Sequence, residues 1–172
     1  MSICQCRVGR RLAVVVWFCL CAAIPAEQTC VCQLPLDGAE SLGPVEGRVR
    51  GGTWVSGRTG NAWRAGGGED RIALPSAGRF TRDSGTIEMF FMVDEPIPDG
   101  ATAVLFDCLG KPNWWNRFCG TIRRKDGKAS LDFVIVANKS VQFACDARAS
   151  AAVDIQPGVW HHYAATWRGV GS

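Results

Sequence analysis

Apolar residues recur along the chain in short runs separated by turn residues, and the runs alternate with a period of two. The clearest is the stretch 85–93, where Ile87, Met89, Phe91 and Val93 form an unbroken apolar set. The intervening Thr86, Glu88, Phe90 and Met92 are mixed. That alternation marks a strand whose first set faces the core. Burying four such side chains is worth about 6–10 kcal/mol in transfer terms, before chain entropy is subtracted. Similar runs at 53–55, 62–65, 71–74, 103–108, 117–124, 129–137, 141–145 and 160–167 predict further strands. No amphipathic helix of useful length follows residue 26. The pattern therefore predicts an all-β, antiparallel β-sandwich.

Turn chemistry sets the register. Asp126-Gly127 is a two-residue hairpin turn, which places Ile122 opposite Leu131 and Gly120 opposite Phe133. Ile122, Leu131, Phe133 and Ile135 then share a face. The run that follows carries Val141, Phe143 and Cys145 on one side. It joins the same face only if the Asn138-Lys139-Ser140 connection has an odd number of residues, so a three- or five-residue loop is expected. The last run enters through Pro157-Gly158 and reads Trp160, His162, Ala164, Thr166 against His161, Tyr163, Ala165, Trp167. Neither set is plainly polar, which suits a strand inside a sheet and covered by another layer.

The stretch from Gly158 to Gly169 has the wording G-x-W-H-H-x-A-x-T-W-x-G, and it resembles the signature of laminin-G-like domains with the concanavalin A-type jelly roll. Two upstream pieces agree in order: Gly60-Asn61-Ala62 through Asp70-Arg71-Ile72-Ala73-Leu74-Pro75, and Gly85-Thr86-Ile87-Glu88-Met89-Phe90-Phe91. The resemblance covers roughly residues 50–169. It implies a lectin- or glucanase-like jelly roll, a fold that hosts binding modules, adhesion domains and glycosidases. It also implies calcium as the metal such a domain would take, and a further hairpin strand after the last run. On that reading residues 51–172 are a jelly-roll domain incomplete at its C-terminal end. The edge of the run 160–167 is then expected to be open and sticky.

Residues 1–26 have the form of a secretory signal peptide, expected as a helix. Arg7, Arg10 and Arg11 precede an apolar stretch of thirteen residues, 12–24, and Ile24-Pro25-Ala26 is a small-residue exit. Thirteen residues fall short of the ~20 needed to span a membrane, so no stable span is expected after cleavage. Residues 27–50, rich in Gly and Pro, read as a linker. The implied location is secreted, at an extracellular or cell surface, or in a periplasm.

Removing the leader removes three of the nineteen basic residues and no acid, leaving sixteen of each sign. A nucleic-acid partner is poorly supported by that balance. Five cysteines remain: Cys30, Cys32, Cys108, Cys119 and Cys145. In an exported chain they are disulfide candidates. Cys108 and Cys119 bracket a short loop between consecutive strands, which predicts a cross-hairpin bridge worth ~2–3 kcal/mol.

Retaining glycosidases need two carboxyl groups ~5 Å apart. Glu88 and Asp132 are each alone on their strands, so no catalytic residue is assigned and the domain is read as a non-enzyme. His161 and His162 are adjacent and point to opposite faces of a strand, one half-buried against backbone and one at the surface. The loop residues Asn113, Trp114, Trp115 and Asn116 are the candidate ligand-binding set. Indole faces stack on sugar rings and side-chain amides bond hydroxyls. Glu69, Asp70 and Asp107 are acids near loops but make no spaced metal motif. The expected function is a non-catalytic module that binds glycan or an extracellular protein. The alternatives are part of a glycoside-active enzyme with catalytic residues beyond residue 172, or a structural domain of a large surface protein.

Overall fold

The computed structural model describes residues 3–5, 19–23, 28–34, 42, 46–75, 83–109, 117–136 and 147–169. Its strands in chain order are β1 (Ile3–Gln5), β2 (Cys19–Ala23), β3 (Gln28–Gln33), β4 (Arg48–Arg50), β5 (Thr53–Ser56), β6 (Asn61–Arg64) and β7 (Arg71–Pro75). There follow β8 (Ser84–Met92), β9 (Thr102–Leu109), β10 (Arg117–Lys125), β11 (Lys128–Val136), β12 (Ala147–Val153) and β13 (Trp160–Arg168). Every pairing is antiparallel. One sheet runs β12-β11-β10-β9-β1-β7-β4, a second runs β13-β8-β2-β3, and β5-β6 form a separate hairpin. Among the described residues no helix is long and apolar enough to cross a membrane.

The expected all-β sandwich is present, and its register follows local chemistry. Asp126 and Gly127 both have positive φ, at 52° and 73°, as the tight turn of a twisted hairpin requires. They set Ile122 opposite Leu131 and Gly120 opposite Phe133. On β8, Ile87, Met89 and Phe91 are fully buried, together with Val93 just beyond it. Facing them from the larger sheet are Leu105, Phe106, Ile122, Phe133 and Ile135. Tyr163 and Trp167 on β13 join the two layers, with Tyr163 edge-on to Phe106 and Trp167 tilted against Phe118 and Phe133. Two glycines make room for this aromatic layer. A Cβ at Gly120 would run into the Phe106 ring, and one at Gly85 into the Trp167 indole.

Three expectations need correction or extension. The helix expected over residues 1–26 is not present where that segment is described, because β1 and β2 are strands. Sheet edges explain why: β7 and β9 each bond one side of β1, and β2 lies between β8 and β3. A helix would satisfy its own backbone but leave those edges open. The segment 27–50 contributes β3 and β4, and Leu34 and Leu42 are buried in the core. A strand at 147–153 lies beside β11, where the alanine-rich sequence carries almost no periodic signal. The expected run 141–145, Cys145 and the 138–140 loop lie outside the described residues.

The predicted Cys108–Cys119 bridge is also overturned, since neither thiol is in a disulfide. Register explains it. Cys108 lies opposite Phe118 and Cys119 opposite Asp107, so the two are displaced by one residue across the β9–β10 pair. A one-residue offset sends their side chains to opposite faces of the sheet. Cys108 joins the core, and Cys119 faces away from it.

Candidate functional site

Side chains facing outward from the β8–β13 pair form a polar and aromatic row tied together by side-chain contacts. The register sets Thr86 opposite Thr166, Glu88 opposite Ala164, Phe90 opposite His162 and Met92 opposite Trp160. Neighbours one step apart along a pair are within reach of long or aromatic side chains. Here His162 Nε2 lies 2.7 Å from Glu88 Oε1, and the imidazole leans over Phe90 with centroids 4.7 Å apart. The two threonine hydroxyls share a 3.0 Å hydrogen bond. Arg58, from the tight turn of the β5–β6 hairpin, lays its guanidinium over the Phe90 ring at 4.2 Å. Such a cation–π contact holds the arginine head at a fixed place on the sheet. Trp160 and Met92 are half-buried beside this row.

Adjacency sends His161 the other way. Its ring stacks on Phe91, and Nε2 sits 3.3 Å from both the backbone nitrogen and the carbonyl oxygen of Gln156. One histidine is thus half-buried against backbone and the other is at the surface, as alternation predicts.

The outward row continues into an open cleft of about 460 Å³ lined by Thr53, Arg64, Gly66, Asp70, Asp94 and Glu95. Its acids already serve the protein. Asp94 Oδ2 accepts from Arg64 Nε at 2.8 Å and lies as close to Arg64 Nη2. Asp70 Oδ2 accepts the Gly66 and Gly67 N–H groups at 2.7 and 3.0 Å. Among the described residues no group of three or more His, Cys, Asp or Glu is arranged to hold a metal ion.

The outer face of the larger sheet carries the buried charges. Asp107 and Arg117 meet in a two-pronged contact, Nε to Oδ1 at 2.7 Å and Nη2 to Oδ2 at 2.6 Å. Asp107 therefore lies within β9, inside the predicted run 103–108, and is held in an ion pair. Cys119 is its direct cross-strand partner. Burial, and then the Asp107 carboxylate, push the Cys119 thiol up to about 12, with Arg117 pulling weakly the other way. Burial likewise pushes the Tyr163 hydroxyl up, helped by Cys119 and Asp132, and among the described residues that hydroxyl has no hydrogen-bond partner.

Cys119 should accordingly resist alkylation by iodoacetamide at pH 8 in the folded protein and react on unfolding, since the thiolate is the nucleophile. The same shift makes stability fall with alkali. Between the ordinary thiol value of 9.0 and about 12 the unfolded chain loses this proton while the native state keeps it. Each such group lowers stability by up to ~1.4 kcal/mol per pH unit in that window. Denaturation midpoints compared at pH 8 and pH 10 should drop less for Cys119→Ala than for the parent. An equal drop would place the alkaline sensitivity elsewhere.

Of the residues singled out from sequence, Asn113, Trp114, Trp115 and Asn116 lie outside the described residues. Glu88 is the outward-facing acid its position implied, and its bond to His162 was not foreseen. Arg58 was missed entirely, because a turn arginine gives no sequence sign of the ring it will cover. No protein-family model, no curated protein and no solved structure matches this chain.

Proposed function

We propose that the chain is a secreted, non-catalytic binding module that takes carbohydrate on the outward face of β8 and β13. The observation that carries this reading is the fixed row Thr86–Thr166, Glu88–His162 and Phe90–Arg58, flanked by the half-buried Trp160. Each polar group in it is held by a neighbour, so little side-chain entropy is lost on binding. Sugars ask for that combination: an apolar ring face to stack on, and donors and acceptors set at its edge. Trp160 supplies the first, and His162, Glu88 and the threonine hydroxyls the second. Glu88 has Phe90 and Met92 as its next neighbours on that face, so its own strand brings no second carboxylate to the ~5 Å spacing a retaining glycosidase uses. The laminin-G-like wording of β13 supports the same class of function; the basic flank and apolar run of residues 1–26 support export by sequence alone, since cleavage there would remove β1 and β2 from the two sheets.

Retention on a glycan array tests the reading. Trp160→Ala and His162→Ala should each weaken retention at least about tenfold, or ~1.4 kcal/mol, with the melting temperature nearly unchanged. Trp114→Ala and Trp115→Ala form the second arm, and loss with these alone would move the ligand to the 110–116 loop. A parent protein that retains no glycan would overturn the carbohydrate reading.

A further inference from the structure

Asp132 lies on the outer face of the larger sheet, on β11 between β10 and β12. Thr121 is directly opposite it on one side and Ser150 on the other. Its carboxylate is 1% exposed, and two arginines reach it. Arg123 comes from β10, where it is opposite Ser130, and places Nη2 3.2 Å from Oδ2. Arg148 comes from β12, where it is opposite Val134, and places Nη2 3.4 Å from Oδ1. Both are diagonal neighbours of Asp132, a separation that long side chains span. The two guanidinium heads thus converge on one carboxylate from opposite ends of β11.

Stability gives little reason for this cluster. Replacing buried ion pairs by apolar residues of like volume is often neutral or stabilising. Partly exposed arginines gain little from such pairs, since water screens them. What the cluster supplies is position: one buried carboxylate fixes two long, otherwise mobile side chains. Each guanidinium carries five N–H donors, and among the described residues only Nη2 of each is engaged. Both heads are about two-fifths exposed, so their other donors reach solvent. Two positive charges against one negative leave a surplus of one. The hydroxyl residues Thr121, Ser130 and Ser150 share this face with the pair.

We propose that Arg123 and Arg148, held in place by Asp132, form a binding site for a tetrahedral oxyanion, a phosphate or sulfate group, on the solvent side of the two heads. Arginine forks meet such groups through paired N–H bonds. A tetrahedral group has oxygens pointing several ways at once. It can accept from two guanidiniums arriving from opposite ends, and from a Thr121 or Ser150 hydroxyl besides. A planar carboxylate has both acceptors on one side and suits a single fork. Asp132 does not touch the ligand and acts as a positioning residue beneath it. The site lies on the opposite side of the sandwich from the β8–β13 row, and it is independent of the carbohydrate reading.

The test is a titration of the nitrogen-15-labelled full chain, followed by NMR at constant ionic strength so that general screening does not change. Inorganic phosphate, inorganic sulfate, phenyl phosphate and acetate are the probes. The Nε–H signals of Arg123 and Arg148 and the amides of Thr121 and Ser150 should shift together and saturate at roughly millimolar phosphate or sulfate. Saturation by phenyl phosphate as well assigns the site to esters, and saturation by the free anions alone assigns it to those; either result supports the oxyanion site. Arg123→Lys and Arg148→Lys keep the charge beside Asp132 and lose the fork. Each should weaken binding at least about tenfold with the melting temperature nearly unchanged. Arg50→Lys, on β4 at the far edge of the same sheet, should leave binding as it was. Acetate bound as tightly as phosphate would overturn the proposal. So would shifts that never saturate, or binding that survives both lysine changes.

Discussion

Trp167→Ala is expected to lose about 3–5 kcal/mol of unfolding free energy, the usual cost of truncating a large buried aromatic. Folded domains hold only ~5–15 kcal/mol in total, so this one change should leave the protein near its unfolding threshold at 25 °C. The expectation rests on where the ring lies. Trp167 is 6% exposed, and its centroid is 5.3 Å from Phe118 and 5.7 Å from Phe133 on the opposing sheet. Gly85 directly beneath has no side chain that could swing in to fill the space. His162→Ala, on the other face of the same strand, removes an aromatic ring from the surface and should cost less than ~1 kcal/mol. Denaturant titrations followed by circular dichroism compare the two. Similar losses would mean that the face assignment of β13 is wrong.

The strands legible in the sequence were those whose two faces differ. β8 could be read because its core face is uniformly apolar, and the β10–β11 register because Asp126-Gly127 admits one kind of turn. β13 was placed as a strand, but its sidedness was not, since Trp160 and Trp167 lie on opposite faces. Only packing separates them: Trp167 meets the aromatic layer, while Trp160 stands beside Met92 on the outside. β12 was missed because Ala147–Val153 gives alanine on both faces and no period to detect. The strands of residues 1–33 were missed for a different reason. A cysteine- and valine-rich stretch is compatible with helix or strand, and the open edges of β7, β8 and β9 decide between them.

The candidate site was less legible than the fold. Sequence pointed at the tryptophans of the 110–116 loop because their composition suits sugars. The outward row on β8 and β13 is assembled from residues 58, 86, 88, 90, 160, 162 and 166, three separate segments that only sheet pairing brings together. The cysteine inference failed at the same level. Chain spacing measures how far two residues can reach, and strand register decides which way they face.

The second large effect is expected at Asp132, whose carboxylate is 1% exposed on the outer face of β11 between two arginines. Arg123 Nη2 lies 3.2 Å from Oδ2 and Arg148 Nη2 lies 3.4 Å from Oδ1. The Oδ2 contact is ionic and not directed, for among the described residues no hydrogen bond is aligned on that oxygen. Both arginines are about two-fifths exposed, so each alone is partly screened by water. The aspartate is not. Removing both partners leaves a desolvated charge uncompensated, and Arg123→Ala with Arg148→Ala should cost about 3–5 kcal/mol. Asp132→Leu should cost far less, because the arginine heads it releases can turn into solvent. Combining all three changes should then recover most of the loss suffered by the double-arginine variant. Chemical denaturation of the four variants reads the ranking directly. A triple variant as unstable as the double would mean that the arginine stems stabilise this face by packing, and that their charge contributes little.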